Sequence, residues 1–385
     1  MFYNNKTLIL ILSFCFTLFS CVQEKLHFIN VINLNNSPDS PKDEGLNVFF
    51  DLGSWMGFSL SDEETNTGFS GPYILGLEHG IWSSNNFTSI DLISENGNSL
   101  LTNLNYSEQK YFPGKLENQL HSEDIELISN LIFTSDKSAI ISSKITNNGT
   151  QNLNFTPQWK GEIFDEIGNL TNNDTILITL LDKNQKIFLR PINDKEFKIL
   201  TDSNKYIITL NNIILKPKES KTYSIEIQYH PDQKSIKKNT NRINVTQTIA
   251  DNHLRWEKYL EITNEKSLSK KEKLILTKSI CTLINNWRSA AGALKHDGLF
   301  PSYHYKWFQG FWSWDSWKHA VALVKIDKEL AKNQVRAMYD YQNMDGMIAD
   351  CIFRDTTIEK HNWRDTKPPL SSWAIWEIFK ETDDT

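Results

Sequence analysis

The spacing of apolar residues divides the chain into a strand-like part followed by a helical part. Between residues 46 and 232, short runs alternate apolar and polar side chains, most clearly from Tyr223 to His230. Such alternation predicts strands with one face in a core and the other in water. Ala139, Ile141 and Ile145 share one face of a second run. Further short apolar runs lie at 207–210 and 213–215. Many short strands separated by turns predict an antiparallel β-sandwich for residues 46–232.

From about Asn239 onward the period changes to that of α-helices. Ser269 and Glu272 have the spacing of a capping box, which predicts a helix start. The apolar stripe of this helix consists of Leu276, Ile280, Leu283, Ile284 and Trp287. Further helices are predicted at 316–324, 327–341 and 370–379. Helices separated by aromatic and polar loops favour a toroid of helical hairpins, so we expect a linker at 233–266 and a helical domain at 267–385.

The N-terminus has the pattern of a targeting segment. Lys6 is the only charged side chain before a mostly apolar run that ends at Phe19, and this run is short for a membrane-spanning helix. The residues that end at Cys21 resemble a bacterial lipobox. We therefore expect residues 1–21 to be a lipoprotein signal peptide, with Cys21 as the lipid anchor. The polar residues 22–45 would then form a tether, and the protein would lie at the bacterial cell envelope, held to the membrane through its lipid only.

Composition narrows the choice of partners and cofactors. The chain of 385 residues has a formal net charge of -6, which argues against non-specific nucleic-acid binding. Cys281 and Cys351 are the cysteines left for the folded body, and their neighbours form no metal-ligand pattern, so we expect both to be small buried apolar side chains. Asn343 and Asp345 offer too few oxygens to predict a calcium site. No cofactor is expected to be required.

The densest chemical signal is the aromatic segment around Asp315. Trp307, Trp312, Trp314 and Trp317 surround this carboxylate within a short stretch. Aromatic rings offer flat faces for sugar C–H groups, and a carboxyl group among apolar rings tends to keep its proton, as a general acid requires. The segment therefore predicts a sugar site, although some of these tryptophans are expected to belong to the core instead.

Several neighbouring residues are candidates for substrate binding. Lys318 follows Asp315 by three positions, so on a helix it can approach the carboxylate, bind a sugar hydroxyl or form a surface ion pair. Trp363 is a candidate stacking platform and Arg364 a candidate polar contact. Lys367 precedes two prolines, and the stiff segment would aim its ammonium group reproducibly. The single histidines His296 and His319 are more often structural than catalytic.

An ordered set of motifs joins these candidates into a longer pattern. It consists of Asn286–Ser289, Lys295–Gly298, Pro301–Ser302, Trp307–Phe308, Trp312–Lys318 and Asn362–Trp373. Their order and spacing resemble the first third of the catalytic domain of glycoside hydrolase family 63, which includes processing α-glucosidase I and bacterial α-glucosidases. Upstream, Phe50–Gly57 and Gly68–Pro72 are similar to the N-terminal β-domain of the bacterial members.

The resemblance implies an antiparallel β-sandwich followed by an (α/α)6 toroid, and inverting hydrolysis of α-glycosidic bonds, usually those of α-glucosides in oligosaccharides. It also assigns the general acid to Asp315. The family's general base is a glutamate in the last part of the barrel. Residues 267–385 are therefore expected to form only the first part of the toroid, without this base, and a downstream polypeptide would complete it.

Two aspartates are candidates for a substitute base. Asp350 has a structural alternative as a helix cap or as the partner of Arg354. Asp365 lies beside Arg364 and Lys367, so it is expected to be ion-paired. An inverting enzyme needs the base across the sugar from the acid, and the sequence places neither residue there.

Three other functional hypotheses stay open at this point. The chain can be a non-catalytic glycan-binding lipoprotein that keeps the aromatic rings without the base. It can be the remnant of an interrupted gene. A trehalase-like enzyme of the same barrel class is a further option, which the motifs at 286–288 and 367–369 disfavour. The linkage, the sugar and the oligomeric state are not fixed by the sequence.

Overall fold

The computed structural model describes residues 28–62, 68–76, 80–102, 106–172, 175–180, 184–194, 196–232, 243–364 and 368–384. The predicted signal peptide at 1–21, the anchor Cys21, the candidate base Asp365 and the candidate binding residue Lys367 lie outside these residues. Among the described helices, none is long and apolar enough to cross a membrane.

The first part of the chain is built from antiparallel strands. In chain order they are β1 Met56–Ser59, β2 Ser70–Ile74, β3 Ile81–Trp82, β4 Ser89–Ile93, β5 Tyr106–Phe112, β6 Lys115–His121, β7 Ile125–Ser135, β8 Ser138–Asn147, β9 Leu153–Glu162, β10 Gly168–Asn172, β11 Ile176–Leu180, β12 Lys186–Ile192, β13 Lys198–Asp202, β14 Lys205–Thr209, β15 Ile213–Leu215 and β16 Ser220–His230. The β-rich N-terminal domain that the alternation predicted is thus confirmed.

These strands form three sheets that share one hydrophobic core. The largest has eight strands in the order β10-β11-β12-β16-β8-β7-β6-β5. A second has five strands, in which β9 pairs with β4, β14 and β15, while β13 continues beyond β14. The third has the order β1-β2-β3. The buried side chains of all three belong to the same apolar cluster, which extends into the helices.

Strand β16 differs from its prediction, because both of its faces are buried rather than one. Glu226 on the outward face is buried, and its carboxylate accepts hydrogen bonds from Arg190 Nε at 2.7 Å and Ser138 Oγ at 2.9 Å. Beside this row, Ile132 and Ile140 pack with the chain segment at 243–245. The predicted water-facing side is therefore covered by the segment that leads into the helical part, which alternation within one strand does not reveal.

The second part of the chain contains five helices in the described residues. They are α1 Val245–Tyr259, α2 Lys270–Asn286, α3 Ser313–Leu323, α4 Lys328–Tyr339 and α5 Ser371–Thr382. Short 3-10 turns lie at Glu261–Asn264 and Lys306–Phe308. Two ribbons join them: β17 Trp287–Arg288 with β18 Gly298–Leu299, and β19 Phe311–Trp312 with β20 Cys351–Ile352. Helices α3, α4 and α5 pack on one another.

Two predicted connections are more ordered than expected. Helix α1 lies inside the predicted linker at 233–266. Within the predicted tether, Val31 and Leu34 are buried in the main core, and Asn36 donates its N–H to the carbonyl of Leu60 at 2.8 Å. The tether expectation is therefore wrong for its described part, because isolated apolar residues dock on the sheets without forming a strand pattern.

The two parts of the chain meet through paired polar contacts. The Asn285 side chain accepts from the N–H of Phe50 at 2.6 Å and donates to the carbonyl of Val48 at 2.8 Å. Arg288 is fully buried in the same place, with its guanidinium 4.0 Å from the centre of the Phe50 ring. Burial lowers the pKa of Arg288 to about 9. The family-like motif Asn286–Ser289 therefore lies at the junction with the β-rich domain.

Both described cysteines are buried and free. Cys281 lies on α2, against Tyr111 of β5, and Cys351 begins β20. The prediction that both are small buried side chains is thus confirmed. Neither forms a disulfide, so the described fold is held by non-covalent contacts.

The capping box at the start of α2 gives a first testable expectation. Ser269 Oγ accepts from the N–H of Glu272, and the Glu272 carboxylate accepts from the N–H of Ser269 at 2.7 Å. Replacing Ser269 by Ala should lower the free energy of unfolding by about 1 kcal/mol, because the N–H of Glu272 loses its acceptor and the Glu272 carboxylate loses the Ser269 hydroxyl. Urea denaturation measures the change. The control is Ser267→Ala, outside the helix; an equal loss there would contradict the expectation.

Candidate functional site

Candidate acid Asp315 is positioned by the β19–β20 ribbon. Trp312 of β19 pairs with Cys351 of β20, and the N–H of Ser313 donates to the carbonyl of Asp350 at 2.8 Å. Helix α3 begins directly at Ser313, so Asp315 lies in its first turn. The sequence placed Ser313–Asp315 in a loop before the helix. In the structure the helix already includes these residues. No side chain caps its start, and the hydrogen bonds of the ribbon fix the backbone there instead.

Asp350 is held in the ribbon on its other side as well. Its N–H donates to the carbonyl of Asn362 at 2.6 Å, which places Arg364 beside it. The carboxylate is 3% exposed, and Arg364 Nε lies 3.3 Å from its Oδ2. The expected partner Arg354 is therefore wrong: a residue two positions beyond the bridge supplies the guanidinium. Asp350 is a buried, ion-paired carboxylate with a structural role next to the candidate acid.

Aromatic rings surround this pair of segments. The Arg364 guanidinium lies 5.4 Å from the centre of the Trp312 ring, and Trp312 Nε1 donates to the carbonyl of Trp307 at 3.1 Å. The edge of Phe308 packs on Trp312 with 5.6 Å between ring centres. Trp312 is thus a partly buried support for both Arg364 and the loop at 307–308.

Three tryptophans present ring surface to solvent near Asp315. The exposed fractions are 61% for Trp307, 36% for Trp314 and 41% for Trp363. Trp363 is oriented by a hydrogen bond from its Nε1 to the carbonyl of Tyr341 at 3.1 Å. The Lys318 ammonium lies 4.1 Å from the centre of the Trp314 ring. This cation–π contact combines a cation with a stacking surface next to Asp315 in the chain.

Trp317 is a core residue, so its predicted role in substrate binding is wrong. It is 2% exposed, and its ring packs edge-on against Tyr339 with 6.1 Å between centres. Trp314 and Trp317 are three positions apart on α3, yet their surroundings differ. Trp317 lies where α3 packs on α4, whereas Trp314 lies at the exposed edge of the helix.

The sequence did not predict Gln334, which is hydrogen-bonded to Ser316, the residue after the candidate acid. This fully buried side chain of α4 accepts from the N–H of Leu299 and donates to Ser316 Oγ at 2.9 Å. It therefore links α4, β18 and the residue that follows Asp315. A single glutamine within an otherwise apolar helix face was the available signal, since buried amides are retained where they are fully bonded.

The motif residue Asp297 has a comparable supporting role. Its carboxylate accepts from Trp287 Nε1 at 3.0 Å and from the N–H of Ala290 at 3.0 Å. Gly298, next in the motif, lies against Phe311, and an added Cβ would be 2.8 Å from that ring. Asp297 thus holds the first ribbon together, and Gly298 allows this ribbon to approach the second one.

The described residues contain no group of three or more His, Cys, Asp and Glu side chains arranged to hold a metal ion. Asn343, one of the two oxygen-bearing residues weighed for calcium, uses its side-chain oxygen to accept from the N–H of Met347 at 2.8 Å. Its carbonyl accepts from the N–H of Gly346. This loop is thus closed by its own hydrogen bonds.

His319, one turn after Asp315 on α3, predicts a specific pH dependence. Burial, with a smaller contribution from Lys318, lowers its pKa from 6.5 to about 4, and its Nδ1 has no hydrogen-bond partner. Between these values the unfolded chain binds a proton that the folded protein excludes. Stability is therefore fully present above pH 6.5 and falls as the pH is lowered, by about 2–3 kcal/mol at pH 4.5.

The His319→Gln variant isolates this contribution. Its free energy of unfolding should change between pH 7 and pH 4.5 by about 2–3 kcal/mol less than that of the wild-type protein. Urea denaturation at the two pH values measures the difference. Equal pH dependence in both proteins would show that His319 is not kept neutral by the fold.

Comparison with known protein families is consistent with this geometry. Residues 33–201 match the family model of the glucosidase YgjK N-terminal domain. Residues 308–385, which include Asp315, Trp363 and Arg364, match the model of the mannosylglycerate hydrolase MGH1-like glycoside hydrolase domain. The two matches cover most of the β-rich domain, up to residue 201, and the part of the chain that carries the candidate acid.

Among solved structures, the chain is similar to a putative kojibiose phosphorylase from the human microbiome, with a TM-score of 0.48 and 11% identity, over 93% of this chain and 57% of that one. The chain thus spans little more than half the length of that protein. A putative aldose 1-epimerase from Escherichia coli K12 has a TM-score of 0.34 and 8% identity, over 48% of this chain and 98% of its own. A galactose mutarotase-like protein from Lactobacillus casei has a TM-score of 0.32 and 8% identity, over 48% and 99%.

The two family models are found in the order in which the motifs predicted a β-domain and a catalytic domain. The chain is therefore similar to a glucosidase N-terminal domain in its first part and to a glycoside hydrolase domain in its last part, which confirms the predicted resemblance to family 63 glycosidases.

Proposed function

We propose that the protein is an inverting glycoside hydrolase that cleaves α-glucosidic bonds of oligosaccharides, with Asp315 as general acid. The observation that carries this proposal is the place of Asp315. It lies in the first turn of α3, beside the exposed Trp314, and the segments that carry the exposed Trp307 and Trp363 are hydrogen-bonded to the start of this helix. It also lies inside the segment that matches a glycoside hydrolase domain. Aromatic rings can bind the sugar faces while the carboxyl group protonates the leaving oxygen.

The chemistry needs a second carboxylate. In an inverting enzyme it activates a water on the opposite face of the sugar, roughly 6.5–9.5 Å from the acid. Asp350 is a poor candidate, because it is buried and ion-paired with Arg364, and Asp365 lies outside the described residues. The proposal therefore assigns the base to a glutamate of a downstream polypeptide, which would also complete an (α/α)6 toroid begun by α3, α4 and α5. The β-rich domain would form the sandwich that precedes it.

The site of action belongs to the same proposal. With residues 1–21 as a lipoprotein signal and Cys21 as the lipidated residue, the enzyme would act on oligosaccharides at the bacterial cell envelope. The experiment that tests the activity is ¹H NMR of the protein, together with its downstream polypeptide, acting on α-glucosides and on mannosylglycerate. Release of β-glucose as the first anomer supports the proposal; the α-anomer, or turnover of mannosylglycerate alone, overturns it.

A second candidate is a glycan-binding lipoprotein without turnover. The observation that favours it is the combination of widely exposed rings with Asp350 held in an ion pair. This candidate predicts saturable binding of α-gluco-oligosaccharides by the mature chain, with no product over long incubation. Product formation would exclude it.

Both candidates make the same prediction for Trp307. Its replacement by Ala should weaken oligosaccharide binding by about 5–10-fold, because one stacking surface worth roughly 1 kcal/mol is lost. Isothermal titration calorimetry measures the dissociation constant. The matched control is Trp376→Ala on α5, a tryptophan of similar exposure, 56% against 61%, which should leave binding unchanged. Equal weakening by both variants would contradict the assignment of Trp307.

A further inference from the structure

Arg354 leaves the candidate site and reaches the β-rich domain. It follows β20 within the segment 350–364, here called the site segment, which carries Asp350, Trp363 and Arg364. Its side chain is partly buried, and desolvation lowers the pKa of its guanidinium. A buried cation is costly unless its surroundings compensate it, so its contacts indicate what it is retained for.

The first contact is with Trp55, which directly precedes β1. The guanidinium carbon of Arg354 lies 4.2 Å from the centre of the Trp55 ring. That ring is itself fixed: Nε1 donates to the carbonyl of Ser289 at 3.1 Å, and its face meets Phe300 at 5.7 Å between centres. The planar cation therefore stacks on a surface that two other segments hold in place.

The second contact is with the hydroxyl group of Tyr229 in β16, whose interaction with the guanidinium raises the pKa of Arg354 against the larger effect of burial. The same hydroxyl donates to Gln185 Oε1 at 2.7 Å. Strand β16 lies between β12 and β8 in the eight-stranded sheet. Arg354 thus lies against a central strand of the largest sheet.

The backbone of Arg354 is fixed as well. Its carbonyl accepts from the N–H of Ala293 at 2.7 Å. Gly292 has a φ of +58°, and a Cβ there would lie 2.3 Å from the Arg354 carbonyl oxygen, so this approach requires glycine. Further along, the N–H of Phe353 donates to His361 Nδ1 at 3.2 Å, which folds the site segment back towards Arg364.

We propose that the β-rich domain positions the candidate active site through Arg354. By fixing one turn of the site segment, Arg354 sets Asp350 and Arg364 against the start of α3, and with them the direction in which Asp315 points. Arg354 is a positioning residue, since it contacts neither the sugar nor the reacting atoms. The inference rests on the proposed hydrolase activity for its kinetic part only.

The test uses the full chain with Arg354→Met, which fills the space but removes the stacking plane and the positive charge. Hydrogen exchange followed by mass spectrometry should show about tenfold faster exchange in peptides of 350–364 and unchanged exchange in α4. With the activity in hand, kcat should fall about 10–100-fold while KM stays within about threefold, because small displacements of positioned groups act on the chemical step.

Three further variants separate positioning from general packing. Arg354→Lys keeps the charge without the planar fork and should recover kcat only in part. Trp55→Phe keeps an aromatic face for the guanidinium, so peptides of 350–364 should keep most of their wild-type protection from hydrogen exchange. Arg190→Met removes an ion pair with buried Glu226 on the same sheet and should leave exchange at 350–364 as in the wild type.

Unchanged exchange at 350–364 in Arg354→Met overturns the proposal, and so does an equal local increase in Arg190→Met. If Arg354→Met fails to fold, the same exchange comparison in Arg354→Lys and Trp55→Phe decides. Absence of hydrolase activity from the wild-type protein together with its downstream polypeptide would refute the proposed function, whereas the exchange data would still decide the role of Arg354.

Discussion

Replacement of Asp315 by Asn is expected to lower kcat for natural α-glucosides by about 10²–10⁴-fold, because the leaving oxygen loses its proton donor in the transition state. Asparagine keeps the size and polarity of the side chain, so the dissociation constant for substrate should change little. Stopped assays of glucose release give kcat, and calorimetry on the variant gives the affinity.

The identity of the leaving group separates an acid from a base. An aryl glucoside whose phenolate leaves without protonation should lose far less rate in Asp315→Asn than an oligosaccharide does. A base variant would lose both equally. The control is Asp345→Asn in an exposed loop of the same domain, which should retain full activity. Near-normal turnover of oligosaccharide by Asp315→Asn would refute the acid assignment.

Loss of the Asp51 carboxylate is expected to have the largest effect on stability. Asp51 is fully buried; it accepts from Arg255 Nη1 at 2.9 Å, from Arg255 Nη2 at 2.6 Å and from Trp256 Nε1 at 2.9 Å. Replacing it by Ala leaves a largely buried guanidinium and an indole N–H without their acceptor. The free energy of unfolding should fall by about 3–5 kcal/mol, as measured by urea denaturation.

Two comparisons show that this loss comes from the unpaired cation. The double variant Asp51→Leu with Arg255→Met removes both charges and should recover part of the stability, since a buried pair contributes little beyond an apolar equivalent. Asp91→Ala breaks a more exposed ion pair with Lys160 at 2.7 Å and should cost at most about 1 kcal/mol. A small loss in Asp51→Ala would mean that Arg255 finds another acceptor.

Local patterns predicted the elements of this fold well, because their causes are local. The capping box at Ser269 and the N-cap at Asp327 mark the starts of α2 and α4. Alternation over 223–230 identified β16, and an aromatic-rich motif identified the neighbourhood of Asp315. Each of these signals depends on side chains within a few residues of one another.

What the sequence did not predict depends on contacts between distant segments. The sequence around Trp317 is as aromatic as that around Trp314 and does not distinguish their exposure. Trp317 is buried because it packs against Tyr339 in another helix. Asp350 has Arg354 and Arg364 nearby in sequence, and the bridge at Asn362 decides for Arg364. The burial of Glu226 likewise depends on Arg190 and on a segment that arrives from the helical part. Contacts between such distant residues leave no periodic pattern in the sequence, so the sequence does not predict them.

The buried thiols of Cys281 and Cys351 allow local unfolding to be measured by chemical modification. Burial raises the pKa of Cys281 to about 12, and only a thiolate reacts quickly with alkylating reagents. Cys281 lies at the junction of α2 with β5, and Cys351 lies in the ribbon beside Asp315. Rates of alkylation at each cysteine, read by mass spectrometry, would therefore report how often the domain junction and the candidate site open, independently of each other and without any added label.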